Sequence, residues 1–372
     1  MRIAHVVRQY HPSVGGMEDV VHHLARHQLE AGHAPHIVTL DRLFRDRRTR
    51  LAPHEELDGI PVRRLAFAGS TRYPLCPQVL TALGGADLVH VHGIDFFFDY
   101  LAATHWLHRR TLVASTHGGF FHTRFAARLK QAFFRTVTRR SARAYARIIA
   151  TSASDGRTFA AIAGPERLVV IENGVNVRKF RDRAARTLTP TLIYFGRWSA
   201  NKGLPATIAL AARLRQRDPA WRLIVAGREY DLDRAALAAL AAAEGLGDAV
   251  TLAPDPDDAE LAALIGQASY FVCLSRHEGF GLAAVEAMSA GLIPLLSDIP
   301  PFRSLIDRSG LGVLVADGEP DAAVADLLEL HRRAPATHPV RRARAMAFAA
   351  PYDWSQVAGR YLDAYRGLEA LP

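Results

Sequence analysis

Twelve short apolar segments alternate with helical signals along this 372-residue chain, and the alternation stops once and then restarts. RIAHVV, HIVTL, VRRLAF, DLVHV, TLVAS, RIIAT and LVVI come before residue 172; TLIYFG, WRLIVAG, AVTLA, SYFVCLS and GLIPLLSD follow residue 190. Strands separated by helices need crossover connections, which build parallel sheets covered by helices. Between the two runs, NGVNVRKFRDRAARTLTP is polar, basic and aperiodic, so residues 176–190 read as a linker. The length exceeds one ordinary core. The expected architecture is α/β, with two Rossmann-like, doubly wound parallel-sheet domains over residues 1–175 and 191–352. A closing helix is expected over residues 353–372. Ligands of such sheets bind beyond the carboxyl ends of the strands, so tandem domains should face a central cleft there.

A composition of 49% hydrophobic and 22% charged residues suits a globular chain, and no run approaches the roughly 20 apolar residues of a membrane span. MRIAHVVRQY reads as a first strand and not as a signal peptide, which implies a cytoplasmic protein. Cys76 and Cys273 lack metal-ligand spacing and read as free thiols. The net charge of +9 is uneven: residues 1–180 carry 25 Lys+Arg against 14 Asp+Glu. No acidic residue lies between Asp99 and Asp155, while residues 124–147 carry Arg124, Arg128, Lys130, Arg135, Arg139, Arg140, Arg143 and Arg147 among aromatic residues. This stretch reads as an amphipathic basic helix for an anionic membrane surface, or as a solvated arginine face. No helix-turn-helix, RRM or zinc-finger pattern accompanies it, so a nucleic-acid partner is not expected. The chain has only three lysines, Lys130, Lys179 and Lys202, so each can mark a place that wants a compact ammonium.

Several loops after strands can carry chemistry. Gly15 and Gly16 open a helix whose free N–H groups could seat a phosphate, or they form a turn capped by Glu18 and Asp19. His117 ends TLVAS in a glycine-flanked loop, where an imidazole can meet a sugar hydroxyl or a developing charge. His90 and His92 alternate on one strand face and read as structural. Arg197 and Lys202 follow TLIYFG, a fork and a point charge for one anion. GFGLAA at 279–284 matches the letters of a dinucleotide turn, but SRHE stands between the strand and Gly279, and Glu278 would face a pyrophosphate. A sugar nucleotide fits better. Glu278 would accept from sugar hydroxyls, the amides of Phe280 to Leu282 would meet the diphosphate, and Glu286, two helical turns on, would reach ribose hydroxyls. DLD at 231–233 and DPD at 255–257 read as helix caps and not as metal ligands.

Taken together, these motifs resemble the retaining glycosyltransferases of family 4, which have the GT-B architecture. The similarity spans the GG loop, STHGG, IENGV, GRWSANKG, HEGFGLAAVEA and the final helix, which is expected to pack back on the first domain. VRQYHPSVGGMED, VHGIDFFFDY and THGGFFHTRF look closest to the α-mannosyltransferases of xanthan- and acetan-type exopolysaccharide assembly. That resemblance implies GDP-mannose as donor and a polyprenyl-diphosphate-linked cellobiosyl acceptor, extended in α-1,3 linkage. It implies an enzyme peripheral on the inner face of the membrane that needs no metal or other cofactor. His117, Glu278, Arg197 and Lys202 would be catalytic. Gly15, Gly16, Arg228, Gly279, Phe280, Gly281, Leu282 and Glu286 would join the last three in holding the donor; His11 and Asp95 would meet the acceptor, Asp95 having an alternative as a cap. A family-4 enzyme using another donor such as UDP-glucose is the alternative, and an NAD-dependent dehydrogenase a remote one. NGVN stands where the family usually has NGVD, leaving Asn176 in place of the acid.

Overall fold

A computed structural model describes residues 1–13, 15–46, 48–71, 73–118, 131–333 and 335–368. They form two compact units: Met1–Gly174 with the chain from Trp354 onward, and Val175–Asp353.

In the first unit the strands are β1 (Arg2–Val6), β2 (Ala34–Leu40), β3 (His54–Leu57), β4 (Ile60–Leu65), a two-stranded ribbon β5 (Ala68–Gly69) and β6 (Pro74–Leu75), then β7 (Leu88–His92), β8 (Thr111–Ser115), β9 (Arg147–Ala150) and β10 (Leu168–Val170). The main sheet runs β10-β9-β8-β7-β1-β2-β4-β3, parallel except for the edge strand β3. Alternation along the strands sends side chains to two covered faces. Ala4, Val6, Val89 and Val91 enter one core, with Phe97, Phe98 and Leu101. Ile3, Leu88 and Val113 enter the other, beneath helix α1 (Gly16–Glu30) and the closing helix, whose Trp354, Val357, Ala358, Tyr361 and Tyr365 are buried there.

In the second unit β11 (Thr191–Phe195), β12 (Arg222–Gly227), β13 (Val250–Pro254), β14 (Tyr270–Cys273), β15 (Ile293–Ser297) and β16 (Val313–Val315) form an all-parallel sheet in the order β13-β12-β11-β14-β15-β16. All twelve expected strands are present. Residues 176–190 are not a free linker: Phe180, Ala184 and Ala185 are buried, and Arg342 binds Asp182 Oδ1 at 2.8 Å. The aperiodic polar residues face out while a few apolar ones anchor the segment.

The basic stretch also differs from the expected single helix. Arg124, Arg128 and Lys130 lie outside the described residues. From 131 onward a helix with a π-turn (Phe134–Thr138) runs to Ala142, and Arg147 is already in β9. Phe134, Thr138 and Ala142 face the core, and Tyr145 stacks on Phe98 at 4.4 Å. Arg135, Arg139, Arg140 and Arg143 are exposed, so among the described residues Phe134 and Tyr145 belong to the protein interior and these four arginines to its surface.

Gly203 opens helix α2 (Leu204–Arg217) at φ +70°, and a Cβ there would sit 1.9 Å from the Leu274 carbonyl oxygen. The loop after β11 can approach the end of β14 only without a side chain at this position. Gly203→Ala should therefore lower the unfolding free energy by about 2 kcal/mol or more, measured by urea denaturation.

Candidate active site

In the second sheet the chain works outward from β11 to β13, then returns to β14 beside β11 and works outward the other way. The loops leaving β11 and β14 therefore diverge to opposite faces and open a crevice between them, where ligands of doubly wound sheets bind. Arg197 and Lys202 leave β11, and Glu278 leaves β14. Lys202 Nζ lies 2.6 Å from Glu278 Oε1, and the Ser275 hydroxyl donates to the same oxygen at 2.7 Å. Oε2 of Glu278 makes no hydrogen bond with the described residues. Both charged side chains are largely covered, 23% exposed for Lys202 and 14% for Glu278.

The expectation that Arg197 and Lys202 point at one anion is only partly realised. Lys202 is held by Glu278, whereas Arg197 is exposed with its guanidinium 4.5 Å from the centre of the Tyr230 ring. Arg228, after β12, makes an exposed 3.4 Å pair with Asp255. Asp231, read with Asp233 as part of a helix cap, instead accepts from the Ala200 amide at 3.0 Å and the Ser199 hydroxyl at 3.2 Å, pinning the turn that carries Lys202. Asp233 and Asp257 are helix caps, as their spacing suggested.

After Glu278, Gly279 is open, Phe280 packs on Tyr352, and Gly281 caps helix α3 (Leu282–Ala290) at φ +92° with no side-chain bond to the first-turn amides. Those N–H groups remain available to an anion. At Gly281 a Cβ would lie 2.5 Å from the Phe302 ring, so the turn requires glycine for its own geometry. Glu286, two turns into α3, is half-buried, and burial pushes its carboxyl up to about 7, against a lowering by Lys179. Asn176 accepts from the Lys179 amide at 3.2 Å.

In the first unit, Gly15 caps α1 in an extended conformation. The Glu18 carboxylate folds back against Gly15 and takes the Ser13 hydroxyl at 2.9 Å, so a protein anion already stands beside the helix start. Gly16 has open space around it. His117 follows β8 at φ +50°, a conformation held from both sides because Asp155 accepts from the Thr116 hydroxyl at 2.8 Å and from the Gly118 amide at 3.0 Å. The His117 ring is half-buried and bonded through Nε2 to His92 Nδ1 at 2.8 Å; burial lowers its pKa to about 4. His92, buried and bonded through both ring nitrogens, fits the structural role that strand alternation implied and also contacts His117.

Asp95 caps the helix Phe96–Ala103 by accepting from the Phe97 amide at 2.8 Å and lies 2.8 Å from Arg8 Nε. Only 3% exposed, it takes the capping role that was the alternative to acceptor contact. His11 instead lines a separate cavity of about 370 Å³ with Pro12, Leu51, Ala52, Glu55, Leu57 and Arg64. His11 and Asp95 make no hydrogen bond or ion pair with each other.

Two doubly wound units, one with a covered cation and an open helix start at its switch point, form the framework of a GT-B glycosyltransferase. Residues 14–179 match the model described as Glycosyltransferase Family 4, and residues 177–344 the model described as Glycosyl transferases group 1. The chain is 54% identical to a GDP-mannose:cellobiosyl-diphosphopolyprenol alpha-mannosyltransferase of Xanthomonas campestris, over all of this chain and 98% of that one. It is 47% identical to the protein of the same name from Komagataeibacter xylinus, over all of this chain and 95% of that one. The solved structure of Anabaena HepE with UDP superimposes with a TM-score of 0.76 over 99% of this chain and all of that one, at 18% identity. That last likeness bears on the fold alone. The chain belongs to glycosyltransferase family 4 and is a glycosyltransferase.

The Lys202–Glu278 pair is covered enough for removal of one partner to strand the other. Lys202→Met and Glu278→Gln should each destabilise the protein, and the double variant should be destabilised by less than the sum of the two. A urea double-mutant cycle should return a coupling of about 1 to 2 kcal/mol.

Proposed function

We propose that the protein transfers mannose from GDP-mannose to a polyprenyl-diphosphate-linked cellobiosyl acceptor in exopolysaccharide assembly, forming an α-linkage with retention of configuration. The observation that carries this reading is the Lys202–Glu278–Ser275 constellation at the β11/β14 switch point, one turn from the open start of α3. It offers a cation and free amides to a diphosphate, and a carboxylate oxygen, Glu278 Oε2, to sugar hydroxyls. The names of the full-length relatives support the donor and the acceptor.

In the reaction the C1–O bond to the β-phosphate breaks and its electron pair leaves with GDP. The acceptor oxygen forms the new bond to C1, and its proton passes to a phosphate oxygen of the leaving group. Mannose is α-linked in the donor, so an α-product requires attack on the face from which GDP departs. Lys202, the amides at Leu282 and Ala283, and Arg197 swung from Tyr230 stabilise the growing phosphate charge. Glu278 steadies the sugar as C1 becomes cationic, and Arg228 follows β12 on the side of the nucleoside. In the first unit, His117 offers a neutral ring to a hydroxyl. The cations and helix amides meet this charge without a metal ion. The outward face of Arg135, Arg139, Arg140 and Arg143 suits the anionic inner surface of the membrane that holds the acceptor; no helix among the described residues is long and apolar enough to cross a membrane.

Calorimetric titration in EDTA should give tighter binding of GDP than of UDP or ADP, by about tenfold or more. Preferential UDP binding would keep the enzyme class and discard GDP-mannose. Glu278→Gln should lower kcat by roughly 10²- to 10³-fold while thermal unfolding still reports a folded protein; an undiminished rate would remove this residue from the site.

Glu286 sets a pH dependence. Its carboxyl is protonated below about 7 and becomes an acceptor for two ribose hydroxyls above it. The KM for the donor should therefore fall as pH rises from about 6 to about 8, and Glu286→Gln should flatten that profile.

A further inference from the structure

The face of the first sheet beneath α1 and the closing helix carries three imidazoles. His5 on β1 and His90 on β7 are direct cross-strand neighbours, and His92 follows two residues on, all at or below 1% exposure. Their ring nitrogens approach within 4.8 Å of one another, a spacing that could suit a metal ion. Yet every nitrogen already has a partner. His5 Nδ1 meets His92 Nε2 at 2.9 Å, His5 Nε2 meets Gln28 Oε1 at 2.7 Å, and His92 Nδ1 meets His117 Nε2 at 2.8 Å. His90 Nε2 meets the Ser115 hydroxyl at 2.8 Å and His90 Nδ1 the Tyr365 hydroxyl at 2.7 Å; Gln28 Nε2 reaches that same hydroxyl at 3.5 Å.

We infer that His5 and His92 form a directional hydrogen-bond relay, set by Gln28 and Tyr365, that fixes His117 as the Nε2–H tautomer with a bare Nδ1 turned to the ligand. The inference rests on the reading that His117 meets the sugar. A neutral imidazole has one donor and one acceptor, so one assignment propagates along the chain. The 2.7 Å contact to His5 suits the amide oxygen of Gln28, which leaves its nitrogen toward the Tyr365 hydroxyl at 3.5 Å. Gln28 Oε1 can only accept, so His5 Nε2 donates to it and His5 Nδ1 accepts from His92 Nε2–H. His92 Nδ1 then accepts from His117 Nε2–H. The Nδ1 of His117 makes no hydrogen bond with the described residues and carries a lone pair.

The consequence is selectivity. A bare imidazole nitrogen accepts from an O–H group and repels the oxygens of a phosphate or carboxylate, so His117 addresses a sugar hydroxyl and not the diphosphate. Burial keeps the rings neutral: His5 is lowered to about 4, and His90 and His92 fall well below the usual imidazole value. No proton therefore short-circuits the relay near neutral pH. Gln28 and Tyr365 are positioning residues, acting on the ligand through two intervening rings.

The test is the ¹⁵N spectrum of histidine-labelled full-length protein, with His117 assigned by its absence in His117→Ala. The expected wild-type result is a protonated Nε2 and an unprotonated Nδ1 on His117; the opposite tautomer overturns the relay without any variant. In Gln28→Met the His5 N–H would lose its acceptor, and an orphaned buried N–H is tolerated less than an under-satisfied acceptor. The relay should reverse, shifting the His117 tautomer ratio by about tenfold or more toward Nδ1–H, with kcat falling comparably and GDP affinity unchanged. Tyr365→Phe, which frees the Gln28 amide to turn, should shift it the same way by less. A ratio unmoved in both variants, or Zn²⁺ binding that consumes the signals of His5, His90 and His92, overturns the proposal. If His117→Ala transfers mannose at the wild-type rate, the reading of His117 at the sugar falls, while the tautomer measurement still decides the relay.

Discussion

The second unit is organised around the contact of Lys202 with Glu278. The two residues are 76 positions apart in the chain and meet because β11 and β14 are neighbours at the reversal of strand order. Everything around them serves this approach. Gly203 lets the β11 loop reach Leu274, Asp231 ties down the turn before Lys202, and Ser275 shares the Glu278 oxygen that Lys202 uses. A lone ammonium or carboxylate this covered would be costly, whereas the pair holds both charges ready at modest cost. A ligand with an anionic diphosphate and neutral hydroxyls can replace each partner with something of matching polarity. A ligand lacking either would leave one charge unsatisfied.

The first unit solves the same problem with neutral groups. Where the second unit sets an ammonium against a carboxylate, the first sheet buries His5, His90 and His92 uncharged and satisfies every ring nitrogen. Buried polar groups are stable only in a fully connected network, and a connected network of neutral imidazoles has a direction. That network uses Gln28 from α1 and Tyr365 from the closing helix. Packing the chain's last helix on this face thus contributes a hydroxyl to a polar cluster as well as apolar area to the core.

Much of this was legible in the sequence because strand and helix periodicities are local. The twelve strands, the aspartate caps at 233 and 257, and the placement of His117, Lys202 and Glu278 in loops after strands follow from patterns within about ten residues. β3, β5, β6 and β16 were missed because segments of two to four residues show no period. The anchoring of 176–190 was missed because Phe180, Ala184 and Ala185 contact the core at irregular intervals. The ion pair and the relay were not legible for a different reason. They join residues brought together only by sheet order, and nothing in the letters of Gln28 or Tyr365 distinguishes them from ordinary helix residues.

The glycine turn at 279–281 illustrates how the same letters acquire different physics from their place in a sheet. In the order β13-β12-β11-β14-β15-β16, the phosphate turn of a dinucleotide fold follows the first strand, here β11, whereas GFGLAA follows the fourth. Gly281 is glycine because its backbone is at φ +92° against the Phe302 ring, and the turn it makes opens the start of α3. Glu278 stands before that turn with its charge balanced by Lys202. At the first strand of a dinucleotide fold a carboxylate would repel the pyrophosphate; at the fourth it is paired across the switch point with Lys202.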